Sequence, residues 1–142
     1  LEEEKNNIET TKVLNEEDFF IDYNDPNQLG FYNIIYAKKI GLVKGDKGKN
    51  TLRPNDSLSR AEAITLLARS FDSLKEAKTQ DVELDFEDVP SDAWYMENLK
   101  KAVKNKVVKG TSKTTFSPTQ KLNRAQASTL LNRLNKQILK LY

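Results

Sequence analysis

The chain has 142 residues, no cysteine and no histidine, and a formal net charge of +2. These absences remove Cys/His zinc sites, thiol chemistry and Ser-His catalysis together. Hydrophobic residues at 37% and charged residues at 31% fit a globular, mostly helical protein, and no apolar run approaches the roughly 18 residues that would cross a bilayer.

In chain order, residues 1–18 come first as an acidic segment, compatible with a helix. Glu2, Glu3, Glu4, Glu9, Glu16, Glu17 and Asp18 outnumber Lys5 and Lys12 there. The segment opens at Leu1 without a basic-then-apolar leader and reads as the start of a processed or excised piece. After Phe20-Ile21-Asp22-Tyr23, a helix is predicted to include Tyr32, Ile35, Tyr36 and Ile40 and to end near Gly41 in a left-handed cap. Gly45 follows in a loop expected to turn with positive φ. Ser59-Arg60-Ala61-Glu62 is a capping box: the Ser59 hydroxyl accepts from the Glu62 amide, and the Glu62 carboxylate accepts from the Ser59 amide. Leu58 is placed as a hydrophobic staple onto Ala63, and the helix continues through Leu66, Leu67, Phe71 and Leu74.

A polar linker then leads to Phe86-Glu87-Asp88-Val89. The next helix is predicted to start near Ser91 or Asp92 and run to about Lys106, with Tyr95, Leu99, Ala102 and Val103 at helical spacing. Gly110 marks the second loop, with the same positive φ expected. Asn123-Arg124-Ala125-Gln126 repeats the capping box, Leu122 repeats the staple onto Ala127, and Leu130, Leu131, Leu134, Ile138 and Leu141 carry a helix nearly to Tyr142.

The two halves are copies. Residues 52–67 and 116–131 align in register at an offset of 64, pairing Pro54 with Pro118, Leu58 with Leu122, Arg60 with Arg124 and Ala61 with Ala125. Val43-Lys44-Gly45 matches Val108-Lys109-Gly110, and Ala37 matches Ala102. Neither helix pair can bury its apolar stripe alone. The expected fold is therefore all-α, with helix-loop-helix repeats packed around a small central bundle in which the capped helices meet and the first helices wrap them. The organisation reads as an acidic segment 1–18, a first repeat 19–74, a linker 75–85, and a second repeat 86–142 with an extended C-terminal helix.

Charge is distributed unevenly. After Glu97 no acidic side chain occurs, while Lys100, Lys101, Lys104, Lys106, Lys109, Lys113, Lys121, Arg124, Arg133, Lys136 and Lys140 do. Such a surface attracts polyanions. A solvated helix face balanced by the acidic N-terminus is the plainer account.

The series Phe-x-Asp-Val, Trp94, an alanine-bearing helix, Val-x-Gly, Phe-x-Pro and Leu-x-Arg-Ala-Gln resembles an S-layer homology repeat. The first copy resembles it through Gly41-Leu42-Val43-Lys44-Gly45, Arg53-Pro54 and Leu58-Ser59-Arg60-Ala61-Glu62. The resemblance covers about residues 19–72 and 86–134. It implies an extracellular module at the bacterial cell wall or S-layer. Its repeats usually come in threes, with grooves that bind secondary cell-wall polysaccharide, often through a pyruvylated N-acetylmannosamine. This sequence departs from the family pattern in three respects. Two repeats are visible, the signature Thr-Arg-Ala-Glu is altered in both, and the first copy offers Leu29, Phe31 and Tyr32 where the second has Trp94.

Arg60 and Arg124 sit where the helix already carries partial positive charge, which points to a fixed anionic partner. A polymer carboxylate and a salt bridge to Asp22 or Asp88 both answer that description. Trp94 is either a sugar-stacking platform or a core or prong anchor. Lys44 and Lys109 could contact polymer or be simply solvated, and Gly45 and Gly110 shape the loops beside them. The expected ligand set is thus Arg60, Arg124, Trp94, Asp22, Asp88, Lys44, Lys109, Gly45 and Gly110, with Ser59, Glu62, Asn123 and Gln126 as caps. No cofactor or metal is expected. Nor is catalysis, because nothing marks any two of Asp22, Asp25, Glu87, Asp88 and Asp92 as a catalytic pair. The expected function is non-covalent anchoring of a surface protein to an anionic wall polysaccharide. The alternative is a degenerate repeat module that associates with protein, either as a homo-oligomer or with a further repeat that completes the bundle. No nucleic-acid motif accompanies the basic half, and no membrane insertion is expected.

Overall fold

The computed structural model describes residues 15–70 and 78–139. Among them lie four helices: α1, Phe31–Lys39; α2, Arg60–Ser70; α3, Met96–Lys104; and α4, Arg124–Leu139. A single 3-10 turn, Glu16–Asp18, precedes them, and the described residues contain only two isolated bridges and no strand. The fold is all-α, as expected. Expectations for residues 1–14, for Phe71 and Leu74, and for the last turn at Leu141 fall outside the described residues.

The chain divides into two compact units, Leu1–Asp56 and Ser57–Tyr142. In the first, Phe20, Tyr23, Phe31 and Ile35 are buried together, with Phe19, Ile34, Val43 and Leu52 packed against them. The Tyr23 hydroxyl donates to the Leu29 carbonyl, which satisfies the polar end of a buried ring. The α1 residues buried in this core are Phe31 and Ile35, with Ile34 partly buried against it; Tyr32, Tyr36 and, just past the helix, Ile40 are exposed. Gly41 ends α1 in the expected left-handed region at φ +76, its amide donating to the Lys38 carbonyl at 2.9 Å.

The second unit has the larger core. Ala61 and Ile64 of α2 join Leu99 and Ala102 of α3, Leu130 and Leu134 of α4, and Val107, Val108 and Phe116 of the intervening loop. The capped helices thus share one core, but α2 packs most extensively along α3. Helix α3 begins later than its sequence suggests. Ala93 donates to Pro90 at 3.0 Å and Met96 to Ala93 at 2.9 Å, so two tight turns consume the Ser91–Tyr95 stretch before Met96. It ends at Lys104, and Lys106 takes at φ 57 the left-handed position that Gly41 takes after α1.

The loop glycines turn out to serve different needs. Gly45 has positive φ, +69, as expected; Gly110 does not, which corrects that expectation. What Gly110 requires is closeness: a Cβ there would lie 2.4 Å from the Ser112 carbonyl oxygen and 2.6 Å from both the Thr115 carbonyl oxygen and the Phe86 ring. Gly45 is hemmed in likewise, by Thr51 and the Phe20 ring. Backbone oxygens cannot yield as a flexible side chain can. Gly110→Ala should therefore destabilise the second unit by about 2–3 kcal/mol. Lys106→Gly should stabilise it by about 1 kcal/mol by relieving a left-handed non-glycine residue. Urea unfolding of both variants checks the opposite signs.

Candidate functional site: the aspartate-clamped loops and their arginines

Each repeat builds its loop around one carboxylate. Asp88 accepts from the amides of Phe116 and Ser117, both at 2.7 Å; Asp22 accepts from Leu52 and Arg53, both at 2.8 Å. The second residue of each pair sits in the left-handed region, Ser117 at φ 59 and Arg53 at φ 56. That conformation is uncommon for these residue types, and a carboxylate that takes both successive amides holds it in place. Further bonds repeat as well: Glu87 donates to Thr114 at 2.9 Å as Ile21 does to Asn50 at 3.0 Å, and Thr111 to Thr115 at 2.8 Å as Asp46 does to Thr51 at 2.9 Å. The result is a pair of matching loops, packed closely against Phe86 in the second repeat and Phe20 in the first.

In the second unit Arg60 docks onto this loop. Arg60, only 7% exposed, donates from Nε to the Phe116 carbonyl at 2.9 Å and from Nη2 to the Lys109 carbonyl at 3.1 Å. Its guanidinium lies 5.1 Å from the Phe116 ring centroid. The backbone amides of Arg60 and Ala61 complete the contact, donating to the Gln120 and Pro118 carbonyls at 2.9 and 3.0 Å. Burial, and then the Arg133 charge, lower the Arg60 pKa, while Asp88 opposes this; a guanidinium stays charged regardless. No direct ion pair joins Arg60 to Asp88 among the described residues. The carboxylate is spent on loop amides and the cation on loop carbonyls, so the salt-bridge reading gives way to a relay through the backbone.

Both capping boxes form as read. Ser59 N donates to Glu62 Oε2 at 2.8 Å and Glu62 N to Ser59 Oγ at 3.3 Å; Asn123 N donates to Gln126 Oε1 at 3.1 Å and Gln126 N to Asn123 Oδ1 at 2.9 Å. Trp94 projects into solvent, 64% exposed, held edge-on to the buried Tyr95 with centroids 5.3 Å apart. Tyr95 in turn lies 6.2 Å from Phe116, so Trp94, Tyr95, Phe116, Arg60, Lys109, Gly110 and Asp88 form one connected cluster. The Lys109 and Lys44 side chains are exposed. Arg124 is exposed too, and has no hydrogen-bond or ion-pair partner among the described residues.

Two contributors escaped the sequence reading. Lys38 sits 4.5 Å over the Phe20 ring and donates to the Phe19 carbonyl and to Asn50 Oδ1 at 2.9 and 2.8 Å. Arg53 pairs with Asp46 at 2.9 Å and Asp56 at 3.2 Å, while Thr51 also donates to Asp46. The only signal in the sequence was the clustering of Asp46, Arg53 and Asp56 around the loop. Among the described residues no three His, Cys, Asp or Glu side chains group as metal ligands, and no helix is long and apolar enough to cross a membrane.

The model of the S-layer homology domain matches residues 31–64 and 85–128, together more than half of the chain. The chain belongs to this family, a class of cell-surface modules associated with the cell wall. It is 33% identical over 113 residues, 73% of its length, to a surface-layer 125 kDa protein of Lysinibacillus sphaericus, of which it covers 9%. It is 31% identical over 126 residues, 84% of its length, to exoglucanase XynX of Acetivibrio thermocellus, of which it covers 11%. An amylopullulanase of Thermoanaerobacterium thermosulfurigenes is 32% identical over 67% of the chain, which covers 5% of that relative. The chain thus spans about a tenth or less of the length of these relatives. No solved structure shows a significant match to it.

Arg60→Ala should cost about 2–4 kcal/mol in denaturant unfolding, because two carbonyls lose a charged donor and a buried ring loses its cation. Arg60→Lys should recover only part of this, since an ammonium cannot fork between both carbonyls. The Asp22 clamp also sets a pH dependence. The Leu52 amide foremost, with that of Arg53 assisting, holds the Asp22 carboxyl below its ordinary value of 3.8, against an opposing effect of burial that is second to Leu52 in size. A lowered folded pKa means that the stabilisation is complete above pH 3.8 and is lost as pH falls through the lower folded value. Acid titration followed by the Leu52 and Arg53 amide resonances should show this loss in the wild-type chain. Asp22→Asn should abolish that dependence.

Proposed function

We propose that the chain anchors a bacterial surface protein to the wall non-covalently, by binding an anionic secondary wall polysaccharide whose pyruvyl ketal carboxylates are the charged groups recognised. The observation that carries this reading is Trp94. A large apolar ring kept in solvent, and fixed at its edge by Tyr95, is what stacking on a sugar face requires. In the same cluster, the Lys109 carbonyl is held by Arg60 while its ammonium stays exposed, a cation for an acidic polymer. Gly110 keeps that loop flat on Phe86, and Asp88 fixes its shape. Asp22, Lys44 and Gly45 repeat the arrangement in the first unit. Arg60 serves as the frame of the site, for its guanidinium is largely spent on carbonyls.

The relatives support anchoring over catalysis. Similar segments occur in a surface-layer protein and in two enzymes whose names specify different glycan substrates. A small segment common to all three fits a shared location better than a shared reaction.

Sedimentation with purified wall sacculi tests the proposal. The chain should co-sediment with intact sacculi and stay in solution once the secondary polymer has been removed. Trp94→Ala and Lys109→Glu should each weaken binding about tenfold while leaving the fold intact. Undiminished binding to polymer-free sacculi would sink the polysaccharide reading.

A further inference from the structure

One peptide bond of the first unit carries chemistry that the fold does not require. Asp25–Pro26 is the sole Asp-Pro pair in the sequence, and both residues are exposed. It opens a pair of turns in which the Gln28 amide donates to the Asp25 carbonyl and the Phe31 amide to the Gln28 carbonyl, both at 3.0 Å. Repeat two builds the same pair, with Ala93 donating to Pro90 at 3.0 Å and Met96 to Ala93 at 2.9 Å. In the register that pairs Ala37 with Ala102, Pro90 stands in the place of Asp25. Aspartate followed by proline suits the start of a turn, yet repeat two forms its turn without that pair. At this position only repeat one places a carboxylate on the residue whose carbonyl the turn bond polarises. Asp25 Oδ1 accepts from the Asn27 amide at 2.9 Å and from Asn27 Nδ2 at 3.0 Å, which holds the side chain folded over the turn. The Asp25 amide in turn donates to Gln28 Oε1 at 3.2 Å.

We propose that the chain cleaves itself at Asp25–Pro26 in mild acid. The Asp25 carboxylate, steadied by Asn27 at Oδ1, attacks the Asp25 carbonyl carbon through Oδ2 and closes a cyclic anhydride. Negative charge building on the carbonyl oxygen is met by the Gln28 amide already bonded to it. The carbon–nitrogen bond then breaks, and the proline nitrogen leaves with a proton taken from solvent. Water opens the anhydride and returns a proton to solvent, so the sum is hydrolysis of one peptide bond with no reactant but water. The turn contributes by holding nucleophile and carbonyl in one short, closed stretch of backbone. Cleavage divides the chain into residues 1–25 and 26–142. The pieces stay together, because Phe20 and Tyr23 are buried with Phe31 and Ile35, and Asp22 clamps the Leu52 and Arg53 amides. A covalent link is thereby exchanged for one held by this core, independently of polymer binding.

Incubation at about pH 5, above the range in which the Asp22 clamp is lost, tests this, with cleavage read by mass spectrometry after denaturation. The folded chain should yield residues 1–25 and 26–142 about tenfold faster than the same chain in concentrated urea, where the turn bonds are gone. Asp25→Asn and Pro26→Ala should each slow cleavage about tenfold or more, the first by removing the nucleophile and the second the leaving group. Circular dichroism checks that both variants keep the fold. In heavy-oxygen water, a chain carrying carbon-labelled aspartate should show the NMR isotope shift at the Asp25 side-chain carboxyl as well as at its new terminal carboxyl. Water can open an anhydride at either carbon, whereas direct water attack or a contaminating protease labels the terminal carboxyl alone. A bond that survives, a folded chain no faster than one in urea, or label confined to the terminal carboxyl would overturn the proposal.

Discussion

The carboxylate that closes each repeat loop is the constraint on which the remaining geometry rests. Asp88 and Asp22 each take two successive amides, the second from a residue in the left-handed region. Without that acceptor, two adjacent donors would need water and the left-handed residue would relax. With it, the loop is drawn against Phe86 or Phe20 so closely that only glycine fits at 110 and 45. The Phe-x-Asp and Val-Lys-Gly elements, far apart in sequence, are therefore parts of one clamp.

The loop that Asp88 clamps also supplies the carbonyls that take Arg60, and this makes Arg60 intelligible. A cation at the first position of a helix opposes the local dipole and needs compensation. Arg60 finds it in backbone carbonyls, with the Phe116 ring beneath. Carbonyls are weaker partners than a carboxylate, but they lie on a framework already rigidified by Asp88. Removing water from the guanidinium is tolerable because its Nε and Nη2 meet fixed acceptors.

The helices, capping boxes, Gly41 cap and repeat register were legible because side-chain type and spacing carry them. The start of α3 was not. Ser91 and Asp92 are good caps by type, but the turns through Pro90, Ala93 and Met96 postpone the helix, and backbone turn bonds leave no residue signature. Arg60's partners were hidden for the same reason: the arginine is visible, whereas a carbonyl acceptor can belong to any residue. Gly110 was assigned to the right loop for the wrong cause, since positive φ and steric closeness select the same amino acid.

Equivalence in the repeat does not carry equivalence of role. Helices α2 and α4 begin with the same box, the same arginine and the same alanine, then diverge within two turns. Ile64, Thr65 and Ala68 are buried; Ser128, Thr129 and Asn132, at the matching positions, are exposed. Burial follows the arginine. On α2, whose arginine is docked, the adjoining face carries apolar side chains into a core; on α4, whose Arg124 has no partner among the described residues, that face is polar and Leu130 and Leu134 are buried instead. The motif at the start of each helix therefore specifies a manner of attachment, and the residues on the face behind it decide how much apolar surface that attachment covers. For Arg60 both lie within one core, which makes it part of the fold.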